Sequence, residues 1–265
     1  MAPPQVVIIT KKRKRDLRPP TAHVHRATLK KVTQWLEKNK IIYEVLDRNK
    51  LPKNLQADLI LAIGGDGTII AAAHVAGDIP ILGVNSAPQT SIGFFCTATP
   101  INFESILKKV LAKKMKPTLV PRLRVHIDGK AILPLGLNDV LFASRVQGET
   151  ARYRLCVEEK CEEQKSSGLW IATGAGSTAA IYSAGGKNDK VTSKKLQYLV
   201  REPFSYLKNP YRLTHGFLKP GEALKIVSQM NQGMIFIDGA KWFYKVQKGS
   251  RITIEANQEP VKIYL

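Results

Sequence analysis

The chain has 265 residues, with 41 Lys+Arg against 21 Asp+Glu, a formal charge of +20 and 44% hydrophobic residues. That apolar fraction is enough for a core and excludes a chain disordered throughout. No apolar run approaches the roughly 20 residues that span a bilayer, and the short apolar stretch at 6–9 precedes the basic run, so it lacks the order of a secretory signal. The positive charge points to polyanionic partners: nucleic acid, an acidic membrane or a phosphate-rich small molecule.

The first third alternates between two patterns. Residues 6–9, 43–46, 59–63 and 79–84 read as strands, and 22–40, 68–76 and 103–114 as helices. In 22–40, Leu29, Val32 and Leu36 recur at helical spacing with lysines opposite. Residues 59–63 are continuously apolar, as in a strand covered on both faces. Such alternation predicts parallel strands joined by helical crossovers. Beyond 117–121 the pattern changes to short strands at 124–127, 131–135, 139–143, 153–157, 169–172, 224–227, 234–237, 242–244 and 252–255. Asp128-Gly129 and Asp238-Gly239 mark hairpin turns among them. The expected fold is an α/β N-terminal domain with a parallel sheet, residues 1–118, followed by a β-rich domain, 119–265, whose last strands are able to return to the first.

Three cysteines, Cys96, Cys156 and Cys161, form no even set and no zinc-ligand spacing. Reduced thiols and a reducing, cytoplasmic compartment are the expectation. Glu158, Glu159, Glu162 and Glu163 read as a solvated hairpin tip, and the run Lys11-Lys12-Arg13-Lys14-Arg15 as a solvated loop.

The sharpest local feature is Gly64-Gly65-Asp66-Gly67-Thr68, which follows a buried strand and opens a helix. Its glycines permit positive φ and close approach of a ligand, and the helix start offers N–H groups to phosphate. Asp66 either caps the helix or takes part in chemistry, by accepting a proton or by helping to hold a metal ion on the phosphates. Neither a Gly-Lys-Ser/Thr ending nor a Gly-x-Gly-x-x-Gly spacing is present. Asn138-Asp139 interrupts an apolar strand, so these polar side chains need partners or mark a bulge. Residues 166–186 run from a strand through the small-residue loop Thr173-Gly174-Ala175-Gly176-Ser177 into an expected helix at 178–184.

These motifs together resemble the NAD kinase family. The Gly64-Gly65-Asp66-Gly67-Thr68 turn is similar to one shared by NAD, diacylglycerol and sphingosine kinases. Asn138-Asp139 resembles the family's Asn-Glu pair, and Ser177-Thr178-Ala179 with Ser183-Ala184-Gly185-Gly186 resembles a block that lipid kinases lack. Gly83-Val84-Asn85 with Gly93-Phe94, and Asp238-Gly239, also agree. A longer segment at 86–91, Ser167 where many members carry Asp, and Ala180 where many carry Tyr look more like the divergent mitochondrial NAD kinase and plant NADH kinase branch.

The resemblance implies phosphoryl transfer from ATP to the 2′-hydroxyl of the adenosine ribose of NAD or NADH. It implies Asp66 as the catalytic residue and Gly64, Gly65 and Thr68 as phosphate-binding. Gly67, Phe94, Asn138, Asp139, Ser177, Thr178 and Ser183 would contact the dinucleotide, with no dedicated protein metal site. Mg²⁺ would travel with ATP, and a homodimer or larger homo-oligomer is expected. Neither nucleic acid nor membrane is expected as a partner. The competing readings are a lipid kinase sharing the glycine turn and a basic nucleic-acid-binding protein. Against them, no basic amphipathic helix with an aromatic apolar side appears, and no zinc-finger or RNP-type motif.

Overall fold

A computed structural model describes residues 4–11, 21–146, 148–204 and 210–265. The chain divides into two units, one reaching to Leu119 and including Val261–Leu265, the other Val120–Pro260. The first unit is built from β1 (Gln5–Thr10), α1 (Thr21–Lys38), β2 (Ile42–Asp47), β3 (Leu59–Gly64), α2 (Asp66–Ala73), β4 (Ile81–Asn85) and α3 (Phe103–Leu111). Its strands lie in the order β2-β1-β3-β4, all parallel, and the last residues of the chain add alongside β4 with Ile263 opposite Ile81.

β3 is buried along its whole length, which explains its unbroken apolar sequence. Leu59, Leu61 and Ile63 face a core shared with Val32 and Leu36 of α1 and Phe103 and Leu107 of α3. Trp35 meets Phe103 edge-on at 6.4 Å within this core. α2 covers the opposite face, where Ile69 occupies the space a Gly83 side chain would need. Parallel strands all end on the same edge, so Thr10, Gly64 and Asn85 finish together, with Thr10 opposite Ile63 and Gly64 opposite Asn85.

The second unit contains β5 (Thr118–Ile127), β6 (Lys130–Gly136), β7 (Asp139–Ser144), β8 (Ala151–Val157), β9 (Lys160–Ser166), β10 (Gly168–Ala172), α4 (Ala180–Ser183), β11 (Leu196–Arg201), β12 (His215–Leu218), β13 (Ala223–Ser228), β14 (Gly233–Ile237), β15 (Trp242–Val246) and β16 (Arg251–Tyr264). Six strands form an antiparallel sheet in the order β12-β11-β10-β7-β14-β15. Against it lie β16, β13, β8 and β9, with β5 pairing β16 and β6. The two layers share one core, in which Phe142 meets Tyr153 edge-to-face at 5.2 Å.

Several elements differ from the sequence expectation. β9 carries no strand signal because its inward residues, Gln164 and Ser166, are themselves polar, so no apolar alternation marks it. β11 and β12 are further strands beyond those expected, and β16 is far longer than 252–255. The helix expected at 178–184 is a 3₁₀ turn, Ala175–Thr178, and the four-residue α4, broken at Ala179, whose φ of −93° and ψ of −138° are not helical. Glu162 is not simply solvated: its carboxylate accepts the Arg212 and Leu213 N–H groups at 3.1 and 2.7 Å.

The cysteine expectation is corrected. The β8–β9 hairpin sets Cys156 directly opposite Cys161, with Cα atoms 4.1 Å apart, and the two are bonded. Their spacing becomes a pairing only through the hairpin register, which puts both at one rung of the ladder. Cys96 alone is free. Alkylation of the unfolded protein without reductant should therefore modify one cysteine, and all three after reduction; mass spectrometry distinguishes these, and three modified cysteines without reductant would contradict the pairing.

Candidate active site

The ends of β1, β3 and β4 open into a cleft of about 460 Å³ lined by Lys11, Thr21, His25, Arg48, the 64–67 turn and residues 86, 87, 90 and 91. Ligands of parallel α/β sheets bind outside the carboxyl ends of their strands for a topological reason: loops and helix starts converge there. Of the basic run at 11–15, Lys11 is the described member, and it lines this cleft; residues 12–15 lie outside the described residues. Arg48 follows β2, and its guanidinium lies 3.5 Å from where a Gly67 Cβ would stand.

The glycines of the turn act through space rather than through positive φ. A Cβ on Gly64 would overlap the Thr68 hydroxyl, and one on Gly65 would overlap Ser91. Gly65, at φ −117°, is the N-cap of α2 and supplies no side chain. Asp66 is therefore the first residue of the helix and not its cap. Its Oδ1 instead accepts the Phe95 N–H at 2.9 Å, tying the turn to the 93–95 segment. Gly93, at φ +63°, is required twice over, because a side chain there would strike Asn85. Asn85 donates to the Ser91 carbonyl at 2.9 Å and accepts the Ala87 N–H, which shapes the 86–91 loop. Phe94 stands 46% exposed beside Phe95. The Thr68 hydroxyl is buried and has no hydrogen-bond partner.

A second constellation lies within the other unit. Asp238, at the β14–β15 turn, accepts three successive backbone N–H groups, those of Leu137, Asn138 and Asp139, at 2.8, 2.7 and 3.1 Å. Asn138 and Asp139 are thereby held at the mouth of β7. The 173–178 loop closes against them: Thr173 N–H donates to the Asn138 carbonyl at 2.9 Å, and a Cβ on Gly176 would overlap that carbonyl. The Asn138 Oδ1 is buried with no hydrogen-bond partner. Burial, reinforced by the nearby Asp238 carboxylate, pushes the Asp139 carboxyl up to about 7. Ser177 is buried, donating to the Gly174 carbonyl and accepting the Asp189 N–H, whereas Thr178 and Ser183 are exposed.

Asp66, Gly64, Gly65, Gly67 and Thr68 thus belong to one unit, and Asn138, Asp139, Ser177, Thr178 and Ser183 to the other. Lys11, His25 and Arg48 line the cleft yet carry no distinguishing mark in the sequence. Lys11 sits in a run that reads as solvated, His25 reads only as a residue near a helix start, and Arg48 has no signal. Their positions follow from strand register, which a single sequence does not display. Among the described residues no group of three His, Cys, Asp or Glu side chains is placed to hold a metal. A single cleft carboxylate, Asp66, fits a hard cation that keeps its waters and is held mainly by phosphate oxygens. No helix among the described residues is long and apolar enough to cross a membrane.

Residues 50–115 match the profile of the ATP-NAD kinase N-terminal domain. The chain is 31% identical to a probable NADH kinase of Oryza sativa subsp. japonica, covering 91% of this chain and 82% of that protein. It is 32% identical to an NADH kinase of Arabidopsis thaliana, with 91% and 84% covered. Among solved structures, yeast NADH kinase complexed with NADH superposes with a TM-score of 0.78 at 18% identity, covering 98% and 83% of the two chains. An NAD kinase from Archaeoglobus fulgidus in complex with ATP gives 0.73 at 23%, covering 98% and 93%. These relatives lend no support to a lipid kinase or a nucleic-acid-binding protein. The chain belongs to the NAD kinase family.

Proposed function

We propose that the protein transfers the terminal phosphoryl group of ATP to the 2′-hydroxyl of the adenosine ribose of NAD or NADH. The observation that carries this is a lone carboxylate, Asp66, in a cleft with Lys11 and Arg48, in a chain of this family. Phosphoryl transfer needs alignment and neutralisation of charge more than covalent chemistry. Lys11 and Arg48 supply two positive charges, and the backbone of the 64–68 turn supplies N–H donors to phosphate oxygens. Asp66 takes the proton of the 2′-hydroxyl; a ribose hydroxyl is a far weaker acid than a carboxylic acid, so Asp66 acts late, largely by orienting it. Gly67 and Phe94 border the dinucleotide. Mg²⁺ would supply neutralisation of the phosphates when bound, with the Asp66 carboxylate available to help hold it.

Asn138 and Asp139 are assigned to the adenosine portion of NAD(H), with Thr178 and Ser183 along the same dinucleotide and the buried Ser177, whose hydroxyl is engaged by Gly174 and Asp189, fixing the loop beside them. This is supported by the unpartnered Asn138 oxygen and by the three-bond hold of Asp238 on the pair's backbone. Self-association and a cytoplasmic location complete the proposal. The first is supported by the edge strands β12 and β15, which carry exposed Phe217 and Phe243. The second rests on the nucleotide substrates of the proposed reaction alone, since the bonded Cys156–Cys161 pair does not argue for a reducing compartment.

Incubation with Mg²⁺-ATP and either NAD or NADH should yield the 2′-phosphorylated dinucleotide, and no product from either would reject the proposal. Asp66→Asn should lower kcat by about 10²–10⁴ while nucleotide binding persists; near-normal turnover would remove Asp66 from the chemistry. Arg48→Ala should raise KM for ATP by about tenfold or more, the value of a charge-assisted hydrogen bond, with KM for NAD(H) unchanged. Ionised Asp139 accepts from a ribose hydroxyl, and its raised titration leaves it protonated below about 7. KM for NAD(H) should therefore rise as pH falls through that range, and Asp139→Asn should abolish this dependence.

A further inference from the structure

At the floor of the cleft lies a buried histidine that the phosphoryl-transfer chemistry does not employ. His25, on α1, is 3% exposed. Its Nε2 lies 3.0 Å from the Thr10 hydroxyl and its Nδ1 2.8 Å from the Ser86 hydroxyl. Thr10 has a single hydroxyl proton and directs it to the Ile63 carbonyl at 3.1 Å. The Thr10 oxygen therefore accepts from His25, and Nε2 carries the ring proton. In the neutral ring Nδ1 is then an acceptor, and Ser86 donates to it. The relay runs in one direction, Ser86 to His25 to Thr10 to Ile63. Burial, then the charge of Lys11, lowers the basicity of His25 and favours this neutral form, with Arg48 and Arg26 adding to the effect and the Lys11 backbone opposing it.

Each residue in the relay adjoins a part of the cleft. Thr10 precedes Lys11, Ile63 precedes Gly64, and Ser86 opens the loop that brings Ala87, Thr90 and Ser91 to the cleft wall. The Ser86 N–H also donates to the Gly64 carbonyl at 3.0 Å, and the Thr28 hydroxyl lies between the Ser86 carbonyl at 3.2 Å and the Val24 carbonyl at 3.0 Å. A histidine needed only to fill space would not require hydroxyl partners from two different strand ends. We propose that His25 is a positioning residue for phosphate binding: through Ser86 it holds the 86–91 loop and the Gly64 turn where the phosphate oxygens of the donor nucleotide need them. The inference rests on the reading of this cleft as the phosphate site.

Gln and Asn substitutions separate the two ends of the ring, because Gln places its amide near the Nε2 position and Asn near Nδ1. His25→Gln keeps a donor for Thr10 and loses the acceptor for Ser86; His25→Asn keeps an acceptor for Ser86. With the full chain, His25→Gln and Ser86→Ala should each raise KM for Mg²⁺-ATP by about five- to tenfold, the worth of one hydrogen bond. kcat should change by less than about twofold, KM for NAD(H) should hold, and the double variant should be no worse than either single one. His25→Asn should stay near the unsubstituted protein. Thermal melting reports folding; if His25→Gln does not fold, Ser86→Ala carries the same expectation. Wild-type KM for Mg²⁺-ATP in Ser86→Ala, or an equal loss in His25→Asn and His25→Gln, would overturn the inference. Failure of the unsubstituted protein to bind Mg²⁺-ATP in calorimetry would instead overturn the phosphate-site reading, and the inference with it.

Discussion

The parallel register of β1, β3 and β4 is the constraint on which the first unit depends. Because Thr10 lies opposite Ile63 and Gly64 opposite Asn85, three strands deliver their last residues to one edge. The segments leaving those strands are then forced into proximity: a lysine after β1, the glycine turn after β3, and the 86–91 loop after β4. Register brings these segments together, and hydrogen bonds between them, such as that from the Ser86 N–H to the Gly64 carbonyl, then hold them in place. The apolar residues that set the register, buried on both faces of β3, lie behind the site and are not part of the cleft lining. A slip of one residue would turn every side chain to the opposite face, so the hydrophobic pattern protects the alignment of the polar ends.

Close packing then converts that alignment into shape. Gly64 leaves room for Thr68, Gly65 for Ser91, and Gly83 for Ile69. These glycines allow backbone and side chains to approach where a methyl group would hold them apart. Asp66 is placed by the same close fit, since its Oδ1 is occupied by the Phe95 N–H while the residue still lines the cleft. In the second unit a carboxylate does the comparable work: Asp238 gathers three backbone N–H groups and so fixes the strand entry that presents Asn138 and Asp139. An Asp-Gly turn readable as a hairpin signal is thus also a clamp on a segment about a hundred residues earlier in the chain.

The net charge of +20 takes on a more specific meaning in this setting. Most of the excess cations are spread over the surface, where they influence encounter with polyanions and solubility more than specificity. Lys11 and Arg48 differ because the fold brings them to the glycine turn. A cation in a partly enclosed cleft acts on a phosphate with less screening than one in open solvent. On the proposed reading, the chemistry is concentrated in a few charges and the total is a background field.

Local pattern is enough to read the α/β and β-rich halves, because strands such as β3 and helices such as α1 carry their periodicity in consecutive residues. The glycine turn, the Asn138-Asp139 pair and the 173–178 loop are legible for a similar reason: each is a contiguous segment with an unusual residue content. β9 is illegible because Gln164 and Ser166 point inward, and no apolar alternation survives that choice. Cys156 and Cys161 look unpaired until the hairpin register sets them face to face. His25, Lys11 and Arg48 give no signal because their roles depend on neighbours that are distant in sequence. The identity of each strand, turn and helix is written mainly in neighbouring residues, since those preferences are local. Which side chains share a cleft is settled by strand order and register, and these are properties of the whole folded chain.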